Sequence, residues 1–148
     1  MTKNHTIPDL LANSKTIAVV GLSPKTHRAS YEVAAYMQKH GYRIVPVNPS
    51  QAGKLILGEP CYASLQEAAR EVQQIDIVNC FRKAEDIMPI ADAAIEIGAR
   101  CLWMQLGITN EAAAVKARVA GISVVMDHCL KIEHSKKASL YKTIKPNP

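Results

Sequence analysis

Residues 17–49 set two short apolar runs on either side of a polar loop and an amphipathic segment: IAVVGLSPKTHRASYEVAAYMQKHGYRIVPVNP. The first run, Ile17–Val20, ends at Gly21, and a loop containing Ser23, Pro24 and Arg28 follows. A helical pattern then leads to His40–Gly41, and Ile44–Val47 forms the second run. Strand, loop, helix and strand within about 30 residues is the size of a βαβ crossover. A helical crossover joins strands that lie parallel, because it carries the chain back to the edge where the first strand began. The loop leaving the first strand therefore meets the N-terminus of the helix, the place where an open parallel sheet holds phosphates.

The rest of the chain repeats this alternation. A short helix precedes the unit, with Thr6 placed to cap it, Pro8 in its first turn and Ile7, Leu10 and Leu11 as its apolar face. The first strand is expected at Thr16–Gly21, its helix at about Ser30–His40 with Val33, Ala34, Tyr36 and Met37 inward, and the second strand at Arg43–Val47. Residues 48–63 hold two prolines and two glycines and read as a long loop. A short helix starts at Ser64, where Ser64-x-x-Glu67 is a capping-box pattern. Further strands are expected at Ile75–Cys80, Arg100–Met104 and Ile122–Met126, with helices at about Asp86–Ile97 and Asn110–Ala120. A last helix is expected from near Cys129, fraying before Pro146. The pattern predicts a Rossmann-like three-layer α/β fold with a five-stranded parallel sheet, right-handed crossovers and strand order 3-2-1-4-5.

Composition narrows the class. The 148 residues suit a single domain spanning 1–148, with a lead-in helix over 1–14 and a basic tail over 135–148. Hydrophobic residues make up 48%, enough to build a core. No apolar run approaches the ~20 residues that cross a bilayer, and MTKNHTIPDLLANSK lacks the apolar centre of a signal peptide. A soluble cytoplasmic protein is expected. Cys61, Cys80, Cys101 and Cys129 form no C-x-x-C pair, so a zinc ribbon or thioredoxin motif is excluded, and free thiols are expected. Of the net charge of +5, most lies in residues 131–148, which carry five lysines against Glu133 alone. With no arginine and only Tyr141 for stacking, that tail makes a nucleic-acid role a weak expectation.

The first loop is not the dinucleotide fingerprint. G-x-G-x-x-G would align with Gly21, Ser23 and Thr26. The second glycine lets backbone approach a pyrophosphate, and an acidic residue ending the second strand holds a ribose. Ser23 and Asn48–Pro49 occupy those places, so a nicotinamide-dependent oxidoreductase is the disfavoured alternative. A serine hydroxyl, backbone amides, Lys25 and Arg28 still suit a phosphate.

With these residues in view, the chain resembles the small stand-alone CoA-binding proteins and, more distantly, the N-terminal CoA-binding domain of the succinyl-CoA synthetase α subunit. The matching motifs are VVGLS (Val19–Ser23), Arg28-x-Ser30-Tyr31, HGY (His40–Tyr42), VPVNP (Val45–Pro49), FRK (Phe81–Lys83), WMQLG (Trp103–Gly107) and CLKIEH (Cys129–His134). The resemblance spans about Thr16 to His134 and implies coenzyme A, or an acyl-CoA, lying across the loops after the strands, with no general catalytic activity. No second half for a ligase reaction is evident. In this frame Ser23, Lys25 and Arg28 serve the phosphates, Gly21 and Leu22 of the same turn are cofactor-binding, and Val47, Asn48 and Pro49 wall the adenine or ribose. Lys54 either reaches the 3′-phosphate or is a surface lysine. Phe81 either stacks in the cleft or belongs to the core, and Arg82 offers a cation beside it. Gln105 and Gly107 are placed to meet the pantetheine amides.

Asp127, His128, Cys129, Glu133 and His134 crowd the region after the fifth strand. Their spacing is not that of a metal site, and neither a base nor an oxyanion hole can be assigned to Cys129. The simpler expectation is a helix start capped by Asp127, with Cys129 partly buried. A homodimer or an unknown protein partner is compatible with the sequence, as is a regulatory module whose pocket is vestigial.

Overall fold

A computed structural model describes residues 6–136. The fraying end of the last helix and the tail residues Lys137, Tyr141, Lys142 and Lys145 lie outside the described residues. Helix α1 (Ile7–Ala12) leads into β1 (Thr16–Val20), α2 (Ala29–Lys39) and β2 (Arg43–Val47). A two-stranded ribbon follows, β3 (Leu55–Ile56) and β4 (Glu59–Pro60), then α3 (Leu65–Glu71) and β5 (Ile77–Cys80). The chain continues through α4 (Ile87–Glu96), β6 (Cys101–Met104), α5 (Glu111–Val119) and β7 (Ser123–Val125), and is helical again from 130 to 136.

The caps expected at Thr6 and Ser64 form, and Asn110 caps α5 as well. Thr6 accepts from the Asp9 amide, Ser64 from Glu67 and Asn110 from Ala113. The Glu67 carboxylate returns to the amide of Ala63, one residue before the position a capping box uses. Residues 48–63, expected to be loop alone, contain the β3–β4 ribbon. Its turn puts Leu57 at φ 55 and Gly58 at φ 78, the pair of positive angles of a type I′ two-residue hairpin turn.

The five main strands make one parallel sheet, with burial alternating residue by residue to two faces. Ala18, Val20, Val45, Val78 and Leu102 pack under α3, α4 and α5, where Ala68, Ala91, Ala94, Ala113 and Ala117 bring the helices close. Ile17, Val19, Ile44, Ile77 and Trp103 face the other way, against Leu11 of α1, Val33 and Met37 of α2, and Leu130. Among the described residues no helix is long and apolar enough to cross a membrane.

The sheet is the expected parallel five, but its order is not 3-2-1-4-5. It runs β2-β1-β5-β6-β7, so the third main strand pairs with the first and β2 is an edge. Pro46 supplies the reason. A residue's N–H and C=O point to the same edge of its strand, and the Pro46 carbonyl accepts from Tyr62 on the side away from β1. The missing proline N–H therefore faces outward, where a further full strand would need a donor. One residue, Tyr62, covers that edge through a single parallel bridge to Val47.

Asp76 fixes β5 beside β1. Its carboxylate accepts from the amides of Lys15 at 2.8 Å and Thr16 at 3.0 Å, and it is 6% exposed. Asp76→Ala leaves the buried Thr16 amide and the part-buried Lys15 amide without their acceptor and is expected to cost about 2–3 kcal/mol. Urea unfolding measures it, and a loss below about 1 kcal/mol would mean that water replaces the carboxylate.

Candidate functional site

The strand order decides which loops meet. With β5 next to β1, the reversal point of the sheet lies between them, and ligands in such sheets sit outside the strand ends at that point. The turn after β1 is therefore pressed against Phe81 and Arg82, and Gln105, after β6, lies one strand further out. Gly21 marks the contact. It sits at φ +93, and a Cβ there would stand 2.8 Å from the Phe81 carbonyl oxygen. Its amide donates to Val47 at 2.8 Å, so one glycine ties the ends of three strands.

From Gly21 the turn is held from inside. The Ser23 amide donates to the buried hydroxyl of Ser30, and the Ser23 hydroxyl accepts from the Lys25 amide. Asn48 Nδ2 donates to the Leu22 carbonyl, while Asn48 Oδ1 accepts from the amide and hydroxyl of Ser50. Asn48 thus braces the two loops, and the Leu22 side chain is wholly in the core. Helix α2 then begins without a side-chain cap. Arg28 stands at its N-cap in extended conformation with no capping hydrogen bond; α4 likewise lacks a side-chain cap, whereas α1, α3 and α5 each carry a capping hydroxyl or amide. The first-turn amides and the positive end of the helix dipole are left facing the turn.

These groups line a cleft of about 430 Å³ that includes Gly21, Ser23, Lys25, Arg28 and Phe81. Its lining holds two cations and no carboxylate. Two further clefts adjoin it. One, of about 400 Å³, shares Gly21 and has Val20, Val47, Pro49 and Leu65 beneath it, with Arg82, Glu85 and Asp86 at its wall. The other, of about 470 Å³, shares Ala29 and Phe81 and extends past Gln105 to Cys129 and Ile132. The three form a continuous trough along the carboxyl edge of the sheet.

Most of the residues singled out from sequence line this trough: Gly21, Ser23, Lys25, Arg28, Val47, Asn48, Pro49, Phe81, Arg82 and Gln105. Phe81 is half-buried, packs against the core and also lines two of the clefts. Three residues are placed differently. Leu22 is core. Lys54 sits on the exposed loop before β3 and lines none of these clefts. Gly107 uses its amide on Asp127 Oδ1, at 2.6 Å. That bond also corrects the expectation for Asp127, which sits at φ 60 facing the β6 loop and does not cap the last helix. Sequence reasoning missed the starts of α3 and α4 (Ser64, Gln66, Ile90) and the last helix (Lys131, Ile132). A signal existed, since every crossover helix of a parallel sheet begins at the carboxyl edge.

Gln105 is 5% exposed, and its Oε1 accepts from Asn79 Nδ2 and from the Leu130 amide. Trp103 Nε1 donates to the His128 carbonyl at 2.9 Å. Together they fasten the last helix to the sheet and fix the far end of the trough. Among the described residues no group of three or more His, Cys, Asp or Glu is placed to hold a metal; His128 and Lys136 both pair with Glu133. The thiols differ sharply in access. Burial pushes Cys80 up to about 12 and raises Cys101 and Cys61, whereas Cys129 is half-exposed in the trough. The thiolate is the reactive form, so native protein is expected to take up iodoacetamide at Cys129 first. Mass spectrometry showing Cys61, Cys80 or Cys101 modified at the same rate would contradict this packing.

A CoA binding domain model matches residues 15–135, and the chain belongs to that family. It is 40% identical over 129 residues to the uncharacterized protein YneT of Bacillus subtilis, covering 87% of this chain and 92% of that one. A structure from Thermus thermophilus aligns at 32% identity and TM-score 0.80, over 86% of this chain and 93% of its own. A hypothetical protein from Pyrococcus horikoshii aligns at 33% identity and TM-score 0.81, over 93% and 98%.

Proposed function

We propose that this protein is a soluble cytoplasmic binder of coenzyme A or an acyl-CoA, held non-covalently in the trough. Membership of the CoA binding domain family supports the ligand class. The observation that carries the reading is the uncapped start of α2 facing a cleft with Lys25 and Arg28 and no carboxylate. That is an anion site at the reversal point of a parallel sheet. The diphosphate lies on the turn from Gly21 to Ser23. The adenine rests over Val47 and Pro49, and the pantetheine arm runs past Phe81 and Gln105 toward Cys129.

Thermal shift tests the ligand. CoA at about 100 times its Kd stabilises by roughly 2.7 kcal/mol, a Tm rise of about 5–10 °C for a chain of this size. NAD and NADP are expected to give none. A shift with NAD alone would favour the oxidoreductase reading. The direction of the arm has its own test. Acetyl-CoA, which lacks a free thiol, is expected to slow alkylation of Cys129 at least about tenfold, by the occupancy that binding at 100 times Kd provides. Full reactivity in the saturated complex would place the arm elsewhere.

A further inference from the structure

Five large hydrophobic side chains are exposed among the described residues, and two of them meet in one place. Leu106, 61% exposed, follows β6, and Ile132, 45% exposed, lies on the last helix. Both line the cleft of about 470 Å³ that runs on from Phe81 and Gln105, with Val33 and Ile108 beneath. An exposed leucine and isoleucine lining one cleft lose contact with water together when something apolar fills it. The others, Leu55, Val115 and Val119, sit on β3 and α5 and line none of the trough.

Resting on the CoA reading above, we propose that the physiological ligand is a CoA thioester of an uncharged apolar acyl group, with the acyl chain lying between Leu106 and Ile132. Continuity of the trough identifies the occupant. The apolar cleft shares Ala29 and Phe81 with the phosphate cleft. A ligand anchored by its diphosphate and extended along the sheet edge delivers its distal end there. A linear chain fits where a protein partner does not, since two exposed side chains lining one cleft fall far short of the roughly 800 Å² per partner that a stable interface buries. Lys131 and Glu32 close the rim with opposite charges. Arg82, the third charged residue of this lining, stands at the other end, beside Gly21 and shared with the cleft of about 400 Å³, so the distal end meets one cation and one carboxylate rather than a cationic pocket for a terminal carboxylate.

Calorimetry with CoA and with acetyl-, butyryl-, hexanoyl- and succinyl-CoA tests this on the full chain. Each methylene buried is worth about two- to fourfold in affinity, so hexanoyl-CoA is expected to bind at least about tenfold tighter than acetyl-CoA. Butyryl-CoA is expected to exceed succinyl-CoA, which has the same four carbons. In the double variant Leu106→Ser, Ile132→Ser the hexanoyl-to-acetyl ratio is expected to fall toward one; a ratio cancels any effect common to all the ligands. A flat series with free CoA still bound overturns the acyl assignment and leaves the CoA reading standing. Succinyl-CoA tighter than butyryl-CoA, or a gradient that survives the double variant, also overturns it. No binding by any member overturns the CoA reading itself.

Discussion

Gly21→Ala is expected to lower the unfolding free energy by about 3 kcal/mol, composed of a backbone term and a contact term. At φ +93 an L-residue lies beyond the left-handed basin, which costs about 1–2 kcal/mol. The added methyl also meets the Phe81 carbonyl oxygen at 2.8 Å, and that oxygen belongs to backbone leaving the central strand β5. It cannot rotate aside as the Arg82 side chain can, so β1 and β5 must separate or the turn must lift. Lifting the turn breaks the bond from the Gly21 amide to Val47 and opens the β1–β2 end as well. Gly53→Ala separates the two causes. Gly53 has φ +85, but a methyl added there would meet nothing within 4 Å, so only the backbone cost of about 1–2 kcal/mol applies. At about 3 °C per kcal/mol, Tm is expected to fall by roughly 10 °C for Gly21→Ala and 3–6 °C for Gly53→Ala. Equal losses would show that the approach to Phe81 is not a constraint. CoA binding by Gly21→Ala is expected to be lost even where the protein folds, because the turn proposed to hold the diphosphate has moved.

The elements are legible because each carries its own local signal. Thr6, Ser64 and Asn110 cap the helices that the sequence places after them, and the strands show apolar runs, all but β5 flanked by a glycine. Strand order is a pairing between distant segments, and no run of residues encodes it directly. One local clue is present. Pro46 inside VPVNP marks an edge strand, which excludes any order that puts the second strand inside the sheet. The β3–β4 ribbon is hidden for a different reason. Leu57 at φ 55 is a conformation that leucine rarely takes, so LG does not announce a tight turn as NG or DG does.

The site is legible to the same depth. Ser23, Lys25 and Arg28 lie in one loop, so one stretch of sequence reveals them together. Phe81 and Arg82 are recognisable as a strand end, but their closeness to Gly21 follows from the β1–β5 pairing that the expected order lacks. Gly107 illustrates the opposite error. Its position after β6 promises a free donor, and the partner that takes it, Asp127, is 20 residues away in sequence and reached only across the β6–β7 crossover.

Ser23→Asp is expected to weaken CoA binding by about 30- to 100-fold with stability changed by less than about 1 kcal/mol. The fold is spared because the Ser23 hydroxyl accepts from the Lys25 amide, and an aspartate oxygen accepts in the same two-residue turn. The Ser23 amide, which donates to Ser30, is untouched by the change. Binding suffers because a new carboxylate faces the proposed diphosphate. A unit charge at about 5 Å contributes roughly 3 kcal/mol at an effective dielectric of 20, reduced toward 2 kcal/mol because Ser23 is half-exposed and Lys25 and Arg28 lie in the same cleft. Ser23→Ala removes the hydroxyl without adding charge and is expected to cost less than about tenfold, the worth of one hydrogen bond. Salt distinguishes electrostatics from shape. The penalty of the aspartate is expected to shrink between about 50 and 500 mM NaCl as screening shortens, while that of the alanine stays constant. Affinity unchanged in Ser23→Asp at low salt would mean that the diphosphate does not lie on the turn after β1.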